Sequence, residues 1–335
     1  MRAFVSMFLI CATLLGVVSC SDRKDDGGNA PSGRLQIAVV PKGTTHEFWK
    51  SIHAGAVKAA GELDVDVIWK GPIREDDRDA QIEVVENMIS RGVSAIVLAP
   101  LDDAALRAPV AQATRAGIPV VIIDSGLKSE DHISFVATDN KKGGYRAGKR
   151  LAELLDGKGK VIMLRYQEGS ASTMNREQGF VDAIKESEGI ELVSANQYAG
   201  PTRETAYKAS ENLLAPFKTE EGLVIDGIFC PNESSTFGML RAIEDAGLAQ
   251  KVKFVGFDSS DKLASALENE ILHGLVLQDP MNMGYLGVKT AVLHLRGETV
   301  EKHVDTGSTV ATADNMTEEE VLSLLKPDFE KWLKD

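Results

Sequence analysis

Val120-Val121-Ile122-Ile123-Asp124 is a short β-branched run that ends on a carboxylate, and the same pattern repeats on either side of it. Runs of this kind cover 35–40, 65–69, 95–99, 120–123 and 133–137, and a second series covers 160–165, 191–198, 227–230, 253–257 and 274–277. The intervals carry helical periodicity, with Ile82, Val85, Met88 and Ile89, or Phe180 and Ile184, on one face. Thr44, followed three residues later by Glu47, predicts a capping box at the start of the first helix. Strands that alternate with helices build βαβ units and a parallel sheet. Two sets of about five strands exceed what one sheet comfortably holds, which predicts an α/β fold of two similar doubly wound lobes.

Ligands of open parallel sheets sit beyond the carboxyl ends of the strands. In the first series those positions hold Lys42, His46, Asp102, Asp124 and the triplet Thr138-Asp139-Asn140. In the second they hold Arg176, Asn232, Asp258 and Gln278. Carboxylates, amides and a guanidinium suit a ligand with several hydroxyls, each of which donates and accepts. Phe48 and Trp49, at the start of the first helix, offer apolar faces for the C–H side of a sugar ring. The same residue types also cap helices in any α/β protein, so each position taken alone carries a structural reading as well.

Taken in order, the landmarks are more specific. They are Ile37-Ala38-Val39-Val40 with Glu47-Phe48-Trp49 and Gly55, Gly92-Val93-Ser94-Ala95-Ile96-Val97-Leu98, and Gly117-Ile118-Pro119 leading into the opening run. Ala137-Thr138-Asp139-Asn140 with Gly143-Gly144, Arg176-Glu177-Gln178-Gly179-Phe180 and Val255-Gly256-Phe257-Asp258 follow. From Arg34 to about Asp305 the chain resembles the ribose-binding family of type I periplasmic binding proteins, which serve ABC sugar importers. The resemblance implies two Rossmann-like lobes joined by a three-segment hinge, a sugar held between them, and no catalytic activity. It places the N-terminal lobe at 34–138 plus 280–306 and the C-terminal lobe and tail at 139–279 plus 307–335. It assigns ring stacking to Phe48, Trp49 and Phe257, hydroxyl binding to Asp124 and Asp258, a guanidinium to Arg176 and amides to Asn232 and Gln278, with Thr138 at the first crossing.

Departures from the family pattern bear on the ligand. Lys42 replaces a small polar residue, His46 an Asn, Ser125 a basic residue and Pro201 an aromatic, which points away from ribose itself. Lys42 then becomes the residue that sets ligand choice, unless it is an ordinary solvated lysine. Lys42, Trp69-Lys70-Gly71-Pro72 and Pro201 are similar to features of rhamnose and furanosyl autoinducer binders, but Arg176 falls where the autoinducer binders carry an acid. A receptor that presents its ligand to a chemosensor is a further reading. An enzyme using Lys42 or His46 near Asp124 finds no spaced nucleophile and base signature to support it.

The N-terminus addresses the chain. An uncharged run from 3 to 18 follows Arg2, and the first twenty residues end in Val17-Val18-Ser19-Cys20. It is short for a permanent span and of the length of a secretory signal core. The tetrapeptide resembles a bacterial lipobox, which implies a signal peptide 1–19, lipidation of Cys20 and a periplasmic protein anchored by lipid alone. The polar, Gly-rich segment 20–33 reads as a flexible tether.

A net charge of −13 without a basic patch argues against nucleic acid. Of three cysteines only Cys230 lies in the mature domain, at the end of an apolar stretch where a thiol is a small core residue. Scattered histidines give no metal spacing. The expectation is therefore a monomer without cofactor, partnered by a sugar and an ABC permease.

Overall fold

A computed structural model describes residues 33–329 and 331–333. The expected signal peptide, Cys20 and the tether up to residue 32 lie outside the described residues. From the N-terminus the elements are β1 (Gln36–Val40), α1 (Glu47–Leu63), β2 (Asp66–Trp69), α2 (Arg78–Arg91), β3 (Ala95–Leu98), α3 (Arg107–Arg115), β4 (Val120–Ile123) and β5 (Ser134–Ala137). There follow α4 (Asn140–Leu154), β6 (Lys158–Arg165), α5 (Ala171–Lys185), β7 (Gly189–Tyr198), α6 (Arg203–Leu214) and a small hairpin, β8 (Lys218–Thr219) with β9 (Gly222–Leu223). The chain continues through β10 (Gly227–Phe229), α7 (Glu233–Asp245), β11 (Lys253–Phe257), α8 (Asp261–Glu268), β12 (Gly274–Leu277), α9 (Pro280–Leu295), β13 (His303–Asp305), β14 (Thr309–Ala311) and α10 (Glu319–Leu325).

Two sheets result. The first runs β2-β1-β3-β4-β5-β13 and is parallel throughout. The second runs β7-β6-β10-β11-β12-β14 and is parallel except for β14. Setting the hairpin aside, both have the doubly wound order 2-1-3-4-5 with one added edge strand. β1, β3 and β4 read apolar at nearly every position because helices cover both faces, α1 and α9 on one and α2 and α3 on the other. In the second lobe α4 and α5 cover one face and α6, α7 and α8 the other. The chain passes between the sheets after β5, after β12 and after β13.

Close helix packing fixes each lobe. A methyl group added at Gly144 on α4 would sit 1.8 Å from the carbonyl oxygen of Arg176 on α5, and one at Gly55 on α1 would sit 1.8 Å from that of Met281 on α9. Only glycine permits such backbone contact.

Two local expectations are corrected. The Thr44 capping box does not form: α1 starts at Glu47 with His46 as its N-cap, and the Thr44 hydroxyl donates to the Pro72 carbonyl at 3.4 Å. The buried face of α2 is centred on Gln81, Val84, Val85 and Met88, with Ile82 and Ile89 at its edge. Gln81 is buried because its amide satisfies the chain after β1 and β3, donating to the Pro41 and Ala99 carbonyls and accepting from the Leu101 amide. β13 and β14 add one edge strand to each sheet beyond the ten runs read in the sequence. Among the described residues no helix is long and apolar enough to cross a membrane.

Candidate functional site

The carboxyl ends of both sheets face a common cleft, which the lobes close down to a cavity of about 30 Å³. Its wall includes Lys42, His46, Phe48, Trp49, Asp124, Arg176, Asn232, Asp258 and Gln278, all singled out in the sequence. Phe257 and Thr138 stand behind the wall. Phe257 is fully buried, and its ring lies 4.0 Å from the Arg176 guanidinium, so it supports a cation instead of offering a free stacking face. Thr138 donates to the Gly307 carbonyl at 3.0 Å, joining two of the chain crossings. Pro201 is absent from the wall, and Ser125 accepts from the Ser172 amide at 3.1 Å.

Asp124 and Asp258 end β4 and β11, and their backbones turn into the left-handed region, at φ 60° and 64°. Asp tolerates that conformation better than most residues, and the turn aims both carboxylates inward. Arg176 on α5 lies between them, 4.0 Å from Asp124 and 3.6 Å from Asp258. It donates to Asn140 Oδ1 at 2.7 Å and to the Pro231 carbonyl at 3.0 Å, which fixes its plane. Gln278 donates to Asp258 Oδ1 at 2.7 Å. Asn232 caps α7, its Oδ1 accepting from the Ser235 amide. The structural and the lining roles coincide there.

Lys42 is 4 % exposed and is no surface lysine. Its ammonium lies 2.8 Å from Asp124 Oδ2 and donates to Ser172 Oγ at 3.0 Å and Ser170 Oγ at 3.4 Å, so it joins the two lobes.

Several wall residues escaped the sequence reading: Glu75, Tyr166, Ser170, Ser172, Thr173 and Glu233. Tyr166 directly follows β6 and satisfies the strand-end rule. Glu75 gave no signal, because Arg74-Glu75-Asp76-Asp77 looks like a solvated loop.

Every wall carboxylate faces a cation. Glu75 lies 2.7 Å from His46 Nδ1, Asp124 meets Lys42, Asp258 meets Arg176, and Glu233 meets Arg203. Burial alone lowers the His46 pKa, but the Glu75 carboxylate beside it overrides this and raises it to about 9. Burial likewise raises that of Glu75, and the opposing charges of His46 and Lys42 bring it to about 2. Asp258 is raised to about 6 by burial, against the pull of Arg176 and Gln278. At neutral pH the wall is thus balanced in charge and has little net attraction for an ion.

Two buried acceptors of the wall, Glu233 Oε2 and Gln278 Oε1, receive no hydrogen bond among the described residues, whereas Asp124 Oδ2 has only the Lys42 ammonium beside it. Buried polar atoms of this kind call for a donor. Among the described residues no group of acids, histidines and cysteines is placed to hold a metal ion, and Cys230 is buried with its thiol pKa pushed well up by desolvation.

The periplasmic binding protein domain matches residues 37–299. The ribose import binding protein of Haemophilus influenzae is 31% identical over 296 residues, covering 88% of this chain and 95% of its own. A carbohydrate transporter solute binding protein from Agrobacterium radiobacter, solved in complex with D-arabinose, superposes with a TM-score of 0.83 at 34% identity, over 88% of this chain and 100% of its own. An ABC transporter solute binding protein from Agrobacterium vitis, solved with bound D-fucose, gives 0.81 at 36% identity over 87% and 100%.

Proposed function

Because this chain belongs to the periplasmic binding protein family, a family of solute-binding proteins and not of enzymes, we propose that it is a sugar receptor of an ABC importer. It takes one uncharged monosaccharide or similar polyol between its lobes and hands it to the permease. The observation that carries this reading is the pair of unmatched buried acceptors, Glu233 Oε2 and Gln278 Oε1, in a wall whose charges cancel. Hydroxyls supply the donors those acceptors need, and a neutral ligand suits the balance. The sugars named with its relatives, ribose, D-arabinose and D-fucose, belong to this class.

Closure is a hinge motion about 138–140, 278–280 and 305–308, between a lobe of 34–138 plus 280–306 and one of 139–279 plus 307–335. The lipobox-like Val17-Val18-Ser19-Cys20 supports export and anchoring through Cys20. A thermal-shift screen of pentoses, hexoses, deoxysugars, inositols and amino acids tests the ligand class. At a hundredfold excess over Kd a bound ligand adds roughly 2.7 kcal/mol of stability. A response to an amino acid, with none to any neutral polyol, refutes the sugar reading.

A further inference from the structure

Glu75 lies in the loop between β2 and α2, yet its carboxylate is buried and both oxygens are engaged. Oε1 accepts from Trp49 Nε1 at 2.7 Å and lies 2.7 Å from His46 Nδ1. Oε2 accepts from the Tyr166 hydroxyl at 2.8 Å, and the Glu75 carbonyl accepts from Gln167 Nε2 at 2.8 Å. His46 and Trp49 belong to the first lobe, Tyr166 and Gln167 to the second. One carboxylate therefore orients two wall residues on its own side and reaches across the cleft.

We propose that Glu75 is a positioning residue that holds His46 as a fixed hydrogen-bond donor to the ligand and, through Tyr166, ties that arrangement to closure of the lobes. The inference rests on the reading that a sugar binds in this cavity. With Nδ1 turned to Glu75, Nε2 is the imidazole's remaining polar atom. In an imidazolium Nε2 carries a proton and only donates, whereas in a neutral ring protonated at Nδ1 it only accepts. The charge of Glu75 thus decides whether His46 addresses a lone pair or a hydroxyl proton of the sugar. The other charged groups facing the pair are Lys42 after β1, Glu233 opening α7 and Arg203 opening α6, the last two cancelling each other. Asp76 and Asp124 face the Tyr166 hydroxyl.

The test is the titration of the His46 ring by nitrogen-15 NMR in the ligand-free protein, assigned with His46→Gln, beside Kd against pH for D-ribose, D-arabinose and D-fucose. In the unsubstituted protein His46 stays protonated through pH 8. In Glu75→Gln, which keeps an acceptor for Trp49, it titrates near the ordinary value of about 6.5. Relative to the parent at the same pH, the affinity of Glu75→Gln for the best of the three sugars is at least tenfold lower at pH 8 and closer to the parent's at pH 5.5. Tyr166→Phe weakens binding with the His46 titration unmoved. A titration unchanged by Glu75→Gln, or affinity equal to the parent's at every pH, overturns the proposal. Should Glu75→Gln not fold, the parent decides, and a His46 that titrates below pH 7.5 sinks the idea. If no sugar binds the parent, the sugar reading has failed, while the NMR arm still reports on the pair.

Discussion

Asp124 and Asp258 occupy equivalent places in the two lobes, each the first residue past a strand end, each in the left-handed backbone region and each turned toward Arg176. A non-glycine residue in that region bears a strain of roughly 1 kcal/mol or more. Its appearance at matching positions indicates that the direction of the carboxylate, and not local stability, selected the conformation. One guanidinium between two acids from opposite lobes makes the cleft a place where closure brings complementary charges together.

Removing the charge at Asp258 is expected to lower sugar affinity tens-fold or more, since a hydrogen bond to a charged buried group is worth roughly 1.5–3 kcal/mol. Asp258→Asn suits the test because Asn tolerates the left-handed backbone that Ala does not. Calorimetric titration of the folded variant reads the effect, and an unchanged Kd removes Asp258 from the site.

The raised pKa of Asp258, about 6, sets a pH window. Between its ordinary value near 3.9 and 6 the folded protein retains a proton that the unfolded chain has released. For this group folding is therefore favoured as pH falls through the window, and that contribution is lost above 6. Binding runs the opposite way, because the carboxylate is the acceptor. Affinity should weaken roughly tenfold from pH 7.5 to pH 5 if only the ionised form binds. Asp258→Asn should flatten the profile.

His46 gives a second dependence of stability, of the same sign as that of Asp258 but above neutrality, and Glu75 one of the opposite sign in acid. The histidine, raised to about 9, adds stability in full below 6.5, and this is lost as pH rises through 9. Glu75, lowered to about 2, adds stability present above 4.5 and lost as pH falls through 2. Thermal midpoints between pH 6.5 and 9 should therefore decline more steeply in the parent than in His46→Gln.

Lys42→Met replaces an inter-lobe ammonium by an apolar chain of similar length. It leaves Asp124 without its nearest partner and drops two hydroxyl contacts, so closure should weaken. We expect at least a tenfold loss of affinity, with less compaction on adding sugar in small-angle scattering. Retained affinity with altered sugar preference would instead make Lys42 a reader of the ligand.

Cys20→Ala in the chain expressed with its own leader should move the protein from the membrane to the soluble fraction without altering sugar binding. Mass spectrometry of the parent N-terminus gives the complementary reading. An unmodified Cys20 on a chain cleaved elsewhere ends the anchor proposal.

The architecture was legible because the βαβ alternation is carried by contiguous runs such as Val120-Val121-Ile122-Ile123, and because strand ends in a doubly wound sheet are where ligands sit. Lys42, Asp124, Asn232, Asp258 and Gln278 followed from that rule, whereas Arg176, read as a strand-end residue, lies within α5. Glu75 did not, since its burial depends on Tyr166, ninety-one residues away, closing over a loop that looks solvated. Phe257 misled for a related reason. Sequence order shows an aromatic beside Asp258 but not the guanidinium that covers its ring. Thr44 and Glu47 matched a capping pattern that the structure forgoes, the His46 ring lying against Glu75 while its backbone caps α1.

The glycine seams have a mechanical consequence. At Gly144 and Gly55 the paired helices touch backbone to backbone, with no side chain between them to bend or change rotamer. Each lobe should behave as a stiff block, and soft deformation should gather in the three short connections after β5, β12 and β13. Motion between the blocks then has few degrees of freedom. A contact made at one rim, such as Tyr166 on Glu75, should then be geared to the opposite rim instead of being absorbed along the way.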